Sequence, residues 1–393
     1  MTDCCVQDDV QDDEQCDEPS APHSLREGFS TGACATALCV ANWQRLTTGV
    51  ADSTDVALLF PDGKIRTLAV RFQDNTTCTL TKDGGDDPDC THGAAIYGRL
   101  CPCPLSEARP EDYCLAVGNA TVVLRGVEGI GLCTRPGLDC EQGKWAINSV
   151  PRAMIAANLA RAGMCSGSYL AELGIEQGAT LAKNTLNPQL GIVGGLSVLG
   201  TTGLVRPFSH DAYIQTVRLC VNSNALLGGT SMVFCTGGRT KAGAERTLPD
   251  LPATAFVCIG DFIAESLRAA CTFGMKDIVV ACMVGKLCKY ASGFDNTHAH
   301  KVRQDRNLLQ QEVLRLLPDD KDVQDALADS VSVREALLFV PQEHRPAVLR
   351  SLADKALTHF VGHMTQLNSA EALPTVRLLL FAFDGTLVLD VQA

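Results

Sequence analysis

Buried strands alternate with helices through the second half of this chain, and that alternation limits its fold more than any other feature. Residues 231–235 form a short apolar run that passes directly into Thr236-Gly237-Gly238. A helical apolar period follows at 262–273, then a strand apolar on both faces at 277–283, ending in Gly285-Lys286 at the start of another helix. Strands that bury both faces and are separated by helices need crossover connections, so the pattern predicts a parallel, doubly wound sheet. Tyr213, Ile214, Val217 and Val221 repeat at helical spacing ahead of it. Behind it, helices are expected at 304–317, 320–328 and 344–361, before an extended pair at 375–381 and 386–390.

The first half has another rhythm. Ser30 or Thr31 can cap a helix of small and apolar residues over 33–43, slim enough for another backbone to approach closely. Strand-like runs follow at 56–60, 65–72 and 76–82, the first two joined by a Pro61-Asp62-Gly63 turn. Residues 113–125 look extended, a glycine-rich segment follows, and Pro151 opens a helix with Met154, Ile155, Asn158, Leu159 and Ala162 on one face. Clustered strands predict a two-layer α+β unit.

A chain of 393 residues exceeds one ordinary core, leaving two domains or one large barrel. The change of rhythm favours two, an N-terminal α+β domain over 26–205 and a C-terminal Rossmann-like α/β domain over 206–393. Residues 1–25 hold eight acidic side chains and no Lys or Arg, which accounts for −8 of the formal charge of −12. Such a block buries too little apolar surface to order itself, so a disordered acidic leader is expected. Cys4, Cys5 and Cys16 within it are read as idle, not as metal ligands. The 19 cysteines are scattered and form no Cys-x-x-Cys, which predicts neither a disulfide framework nor a metal site. No basic stripe suits a nucleic acid and no apolar stretch suits a membrane span, so a cytoplasmic protein is expected. Self-association is left open.

Three glycine motifs are decoys. Residues 195–202 have P-loop spacing, but Thr201 stands where the phosphate-binding Lys belongs. Phe383-Asp384-Gly385-Thr386 resembles a phosphatase loop with Ala382 at the nucleophile position, and reads better as a hairpin turn. Gly126-x-x-Gly129-x-Gly131 reads as a plain turn.

Two clusters carry chemistry. Residues 82–93 (Lys-Asp-Gly-Gly-Asp-Asp-Pro-Asp-Cys-Thr-His-Gly) put four carboxylates beside His92, as either a surface turn or a rigid acceptor loop with His92 as a base. Gly285-Lys286 and Lys289 follow a buried strand, so they project from the carboxyl edge of the sheet, where such folds bind ligands. That favours an anionic ligand. His298 is expected to face it, and His300 to be solvent-facing or structural. Ser30-Thr31-Gly32 is a third candidate anion site, against ordinary helix capping.

Together these blocks resemble one family, CbiD, the cobalt-precorrin-5B C-1 methyltransferases of the anaerobic cobalamin pathway. The similar segments are Gly28-Phe29-Ser30-Thr31-Gly32-Ala33-Cys34, residues 82–93, residues 146–152, residues 187–207 and the stretch from Gly285-Lys286 to Thr297-His298. Departures are the acidic leader, Cys101-Pro102-Cys103-Pro104 and Lys144-Trp145; the last could alter how its loop meets substrate. The resemblance implies methyl transfer from S-adenosylmethionine to C-1 of a cobalt-bound tetrapyrrole, with cobalt only as part of the substrate.

On that reading His92 is the first candidate base and His298 the second. Asp86, Asp87 and Asp89 are assigned to the donor's ribose and amino group or to loop structure. The backbone of Gly200, Thr201, Thr202 and Gly203 is assigned to either ligand. Arg152, Arg206, Lys286 and Lys289 are the expected grips on substrate carboxylates, aided by Thr31, Gly32 and Thr297. A phosphotransferase and a non-catalytic corrinoid-binding protein of the same pathway are the rival readings.

Overall fold

The computed structural model describes residues 25–49, 53–207, 210–298, 306–318, 320–330, 332–367 and 373–393. The expectations for an acidic leader, its cysteines and His300 lie outside them. The architecture is mixed α/β and contains two large sheets, each with its own apolar core.

The first sheet has seven strands in the order Ser53–Leu59, Ile65–Phe72, Thr77–Thr81, Ala95–Pro102, Ser166–Ile175, Asn119–Gly126 and Tyr113–Val117. All neighbours are antiparallel except Asn119–Gly126 with Ser166–Ile175. Alternation along Ile65–Phe72 sends Leu68, Val70 and Phe72 inward onto the opening helix, Thr31–Thr48. That helix starts where the Ser30 hydroxyl accepts the Ala33 N–H (3.2 Å), and its Ala-rich face lies close to the sheet. Asn42 donates to the Gly98 carbonyl at 3.0 Å, and a Cβ on Gly98 would press on Leu38 at 2.8 Å. The helix Ser149–Arg161 packs against it equally tightly: a Cβ on Gly32 would meet Pro151 at 2.7 Å.

The stretch 113–125, expected as one extended run, is two strands folded back at Gly118, whose φ of 60° is left-handed. Ala95–Pro102 and Ser166–Ile175 had no strand signal in the sequence. Gly98, Gly167 and Gly174 interrupt their patterns, yet Gly174 is needed because the Tyr97 ring lies where its Cβ would be.

The second sheet runs Phe256–Cys258, Ser231–Cys235, Asp277–Cys282, Thr375–Phe381, Leu387–Gln392; the first four strands are parallel and the last antiparallel. Met232, Phe234, Ile278 and Val280 bury one face under helices that include Ile263–Thr272, Val284–Ala291 and Arg345–Leu367. Val233, Cys235, Val279 and Phe381 bury the other with Ala244 of the helix Gly238–Thr247. That helix and Val333–Phe339 were not expected; the first is polar and opens with two glycines, a weak helical signal.

Residues 195–202 lead into a short strand, Leu204–Val205, and not a helix; Asp384 and Gly385 form the turn before Leu387–Gln392; Gly129 is a left-handed turn residue.

Candidate functional site

Three chain segments meet on the first sheet's side. Gly28–Phe29 pairs antiparallel with Leu204–Val205, and the Phe29 N–H donates to the Asp83 carbonyl at 2.7 Å. A Cβ on Gly28 would collide with the Gly84 backbone, so the glycine is what admits the acidic loop. Thr31 Oγ1 donates to the Ser197 carbonyl (3.0 Å) and accepts the Leu199 N–H (2.9 Å), while the Gly32 N–H donates to the Leu199 carbonyl. Thr31 and Gly32 are therefore spent on joining segments.

Two of the acidic loop's four carboxylates are paired with cations, one from within the loop and one from Arg26. Asp83 holds a forked pair with Arg26, and that hydrogen bonding brings its carboxyl down to about 2. Buried Lys82 pairs with Asp89 at 2.5 Å, and the Thr91 N–H and hydroxyl also donate to Asp89. Burial works against the Asp89 anion, but these donors win and its pKa falls below the usual carboxylate value. Asp86 accepts the Arg26 N–H at 2.7 Å. His92 is half exposed; its Nδ1 accepts the Gly84 N–H at 3.0 Å, so a neutral ring carries its proton on Nε2. Beside this loop, among the described residues, the N–H groups of Gly200, Thr201, Thr202 and Gly203 donate to no protein acceptor.

The second cluster lies at the carboxyl edge of the parallel strands. Asp261, three residues beyond Phe256–Cys258, binds Lys286 Nζ and accepts from Thr297 Oγ1 at 2.7 Å. Lys286 also donates to Thr297 Oγ1 (2.7 Å), and Lys289 to the Thr297 carbonyl (2.7 Å). Burial opposes ionisation of Asp261, but Lys286 and Thr297 lower its pKa; burial and then Lys286 lower that of Lys289. The His298 ring stands 5.6 Å from His210, which packs on Phe262.

The expected site residues thus fall into two groups, His92, Asp86, Asp87, Asp89, Thr31, Gly32, Arg206 and 200–203 in one, and Lys286, Lys289, Thr297 and His298 in the other. Arg206 is drawn to Glu27 (3.1 Å). Arg152 belongs to neither group by its contacts: it lies 3.9 Å over the Tyr113 ring and 3.6 Å from Glu141. Lys144 and Trp145 are tied to Asp112, by a 2.7 Å bond to its carbonyl and a 3.1 Å bond to its carboxylate. Sequence reasoning missed Asp261, although Gly260-Asp261 follows an apolar run directly, and it missed Arg26 as the counter-ion of the acidic loop.

Relatives similar to this chain bear the name cobalt-precorrin-5B C(1)-methyltransferase. The one from Salinispora arenicola is 38% identical over 293 residues, covering 73% of each chain. The one from Polaromonas naphthalenivorans is 39% identical over 302 residues, 74% of this chain and 78% of the relative. A crystal structure of cobalamin biosynthesis protein (cbiD) from Archaeoglobus fulgidus is similar at 21% identity with a TM-score of 0.37, covering 68% of this chain and 80% of that one. Residues 18–207 match the family model described as CbiD, and with these relatives aligned along about three quarters of their length, this chain belongs to the CbiD family.

Proposed function

We propose that this protein transfers a methyl group from S-adenosylmethionine to C-1 of cobalt-precorrin-5B, giving cobalt-precorrin-6A in anaerobic cobalamin biosynthesis. The observation that carries the reading is the kinship with relatives named for that reaction over most of their length. The geometry supports it. Four consecutive free backbone donors at 200–203 suit a carboxylate, beside a loop whose Asp86 and Asp87 can accept from hydroxyl and amino groups. Asp89, filled by Lys82 and Thr91, serves the loop and leaves the donor to its neighbours.

The donor, when bound, supplies an electrophilic methyl for in-line displacement, so the protein's main task is to hold two reactants in register. The pinned segments 26–32, 82–93 and 197–206 provide a rigid wall for that. A proton must leave the macrocycle once C-1 is alkylated. His92 takes it at Nδ1, exchanging the Gly84 hydrogen bond for the substrate, with His298 as the second candidate. Lys286 forms the substrate-facing edge of a Rossmann-like second domain, over 206–393, that opposes an α+β domain over 26–205, while Lys289 and Thr297, both buried, support it from within instead of gripping substrate as expected. Arg152 and Arg206 complete the grips, once substrate competes with Glu141 and Glu27. The protein acts in the cytoplasm.

Calorimetric titration with S-adenosylhomocysteine and with a cobalt corrinoid tests the reading. Binding of both is expected; binding of the corrinoid alone would make this a carrier.

A further inference from the structure

The cations expected to meet substrate carboxylates are nearly all engaged within the protein, Arg152 by Glu141, Arg206 by Glu27, Lys286 by Asp261 and Lys289 by a carbonyl. A different pair of arginines is not. Arg239, in the first turn of the helix Gly238–Thr247, lies 4.1 Å over the Phe383 ring, and Arg334, at the start of Val333–Phe339, lies 4.4 Å from the same ring. Among the described residues, neither guanidinium has a hydrogen bond or a carboxylate partner. A third arginine, Arg246, donates to the Gly385 carbonyl of the same turn at 3.0 Å. The one acid in that turn, Asp384, folds onto the Thr386 N–H at 2.9 Å and forms no ion pair with the arginines.

Phe383 lies two residues past Thr375–Phe381, and Arg239 four past Ser231–Cys235. Because those strands are parallel, both residues stand at the carboxyl edge that also carries Lys286. The connections from Ser231–Cys235 and Asp277–Cys282 leave toward opposite faces of the sheet, the arrangement in which open parallel sheets bind ligands at their carboxyl edge. At the start of the first connection, a Cβ on Gly237 or Gly238 would meet nothing within 4 Å. In a chain of net charge −12, two unpaired guanidiniums held against one ring repel each other and attract an anion.

We infer that Arg239 and Arg334, braced on Phe383, form a carboxylate clamp at this edge that holds peripheral carboxylates of the tetrapyrrole. The ligand identity rests on the proposed reaction; the anion preference rests on the arginines alone. Cobyrinic acid, a cobalt corrin with free carboxylates, and its methyl ester are the probes, titrated by absorbance against the full-length protein and an Arg239→Gln/Arg334→Gln double variant. The wild type should bind the acid more tightly than the ester, and less tightly as salt rises. The double variant should lose about tenfold or more for the acid and little for the ester, with a weaker salt dependence. Equal affinity of wild type and double variant for the acid, or no binding of the acid by the wild type, overturns the clamp. Should the double variant melt early, Arg239→Lys/Arg334→Lys keeps the charge; it must retain salt-dependent binding of the acid if the clamp is real. A wild type that binds the acid through these arginines but transfers no methyl group would retain the clamp and overturn the methyltransferase reading. Methyl transfer with a KM untouched by the double variant would do the reverse.

Discussion

The acidic loop at 82–93 and the carboxyl edge of the parallel sheet are both dense in charge, and they use it in opposite ways. In the loop almost every charge has a partner inside the protein: Arg26 on Asp83, Lys82 on Asp89, the Arg26 amide on Asp86. Four carboxylates in seven residues are tolerable because two cations are folded among them. At the sheet edge, Asp261 and Lys286 pair, but Arg239 and Arg334 do not. Charge that is satisfied internally builds a rigid surface; charge left unpaired waits for a ligand. A chemical centre needs the first and a substrate grip needs the second.

The largest effect should come from removing the proposed base. His92→Ala is expected to lower kcat by about 10² to 10⁴ with little change in KM. The loop around it is pinned by other pairs, so melting temperature should hold; normal kcat would move the role to His298. Next is the buried ion pair. Lys82→Met leaves Asp89 without its main counter-ion and should cost about 3–5 kcal/mol in chemical denaturation, since the lysine side chain is only 1% exposed. A loss below about 1 kcal/mol would show that the loop is not held from within.

Gly28→Ala comes third. Its methyl would strike the Gly84 backbone, so the loop must shift, at about 1–3 kcal/mol and with loss of activity, whereas Gly285→Ala, facing open space at the other cluster, should be nearly neutral in stability. The smallest effect concerns pH. The Asp89 pKa is depressed on folding, so its contribution is present above the unfolded carboxylate value of about 3.9 and fades as pH falls through the folded one. Denaturation midpoints of wild type and Asp89→Asn should therefore converge toward acid pH; a constant gap would contradict the pairing.

Local pattern carried much of this structure. The parallel strands Ser231–Cys235 and Asp277–Cys282, the Pro61-Asp62-Gly63 hairpin and the Ser30-capped helix follow from apolar period and turn chemistry alone. What stayed hidden depends on distant neighbours. Ala95–Pro102 tolerates Gly98 only because Leu38 lies over it, and Gly174 only makes sense under the Tyr97 ring. The same holds for the site. Motif matches picked out the acidic loop and the Lys286 region, but the sequence shows charges and not their partners: Arg206 meets Glu27 and Lys286 meets Asp261 across long stretches of chain. Arg239 and Arg334 sit in no motif, and their convergence on Phe383 appears only once the parallel strands bring three turns to one edge.

The most direct test of the proposed reaction is to incubate purified protein with cobalt-precorrin-5B and S-adenosylmethionine labelled with ¹³C in the methyl group, and to locate the label by NMR. A single labelled methyl on C-1 of the product is predicted. Label on another ring carbon, or an unmethylated macrocycle after a prolonged incubation, would contradict it.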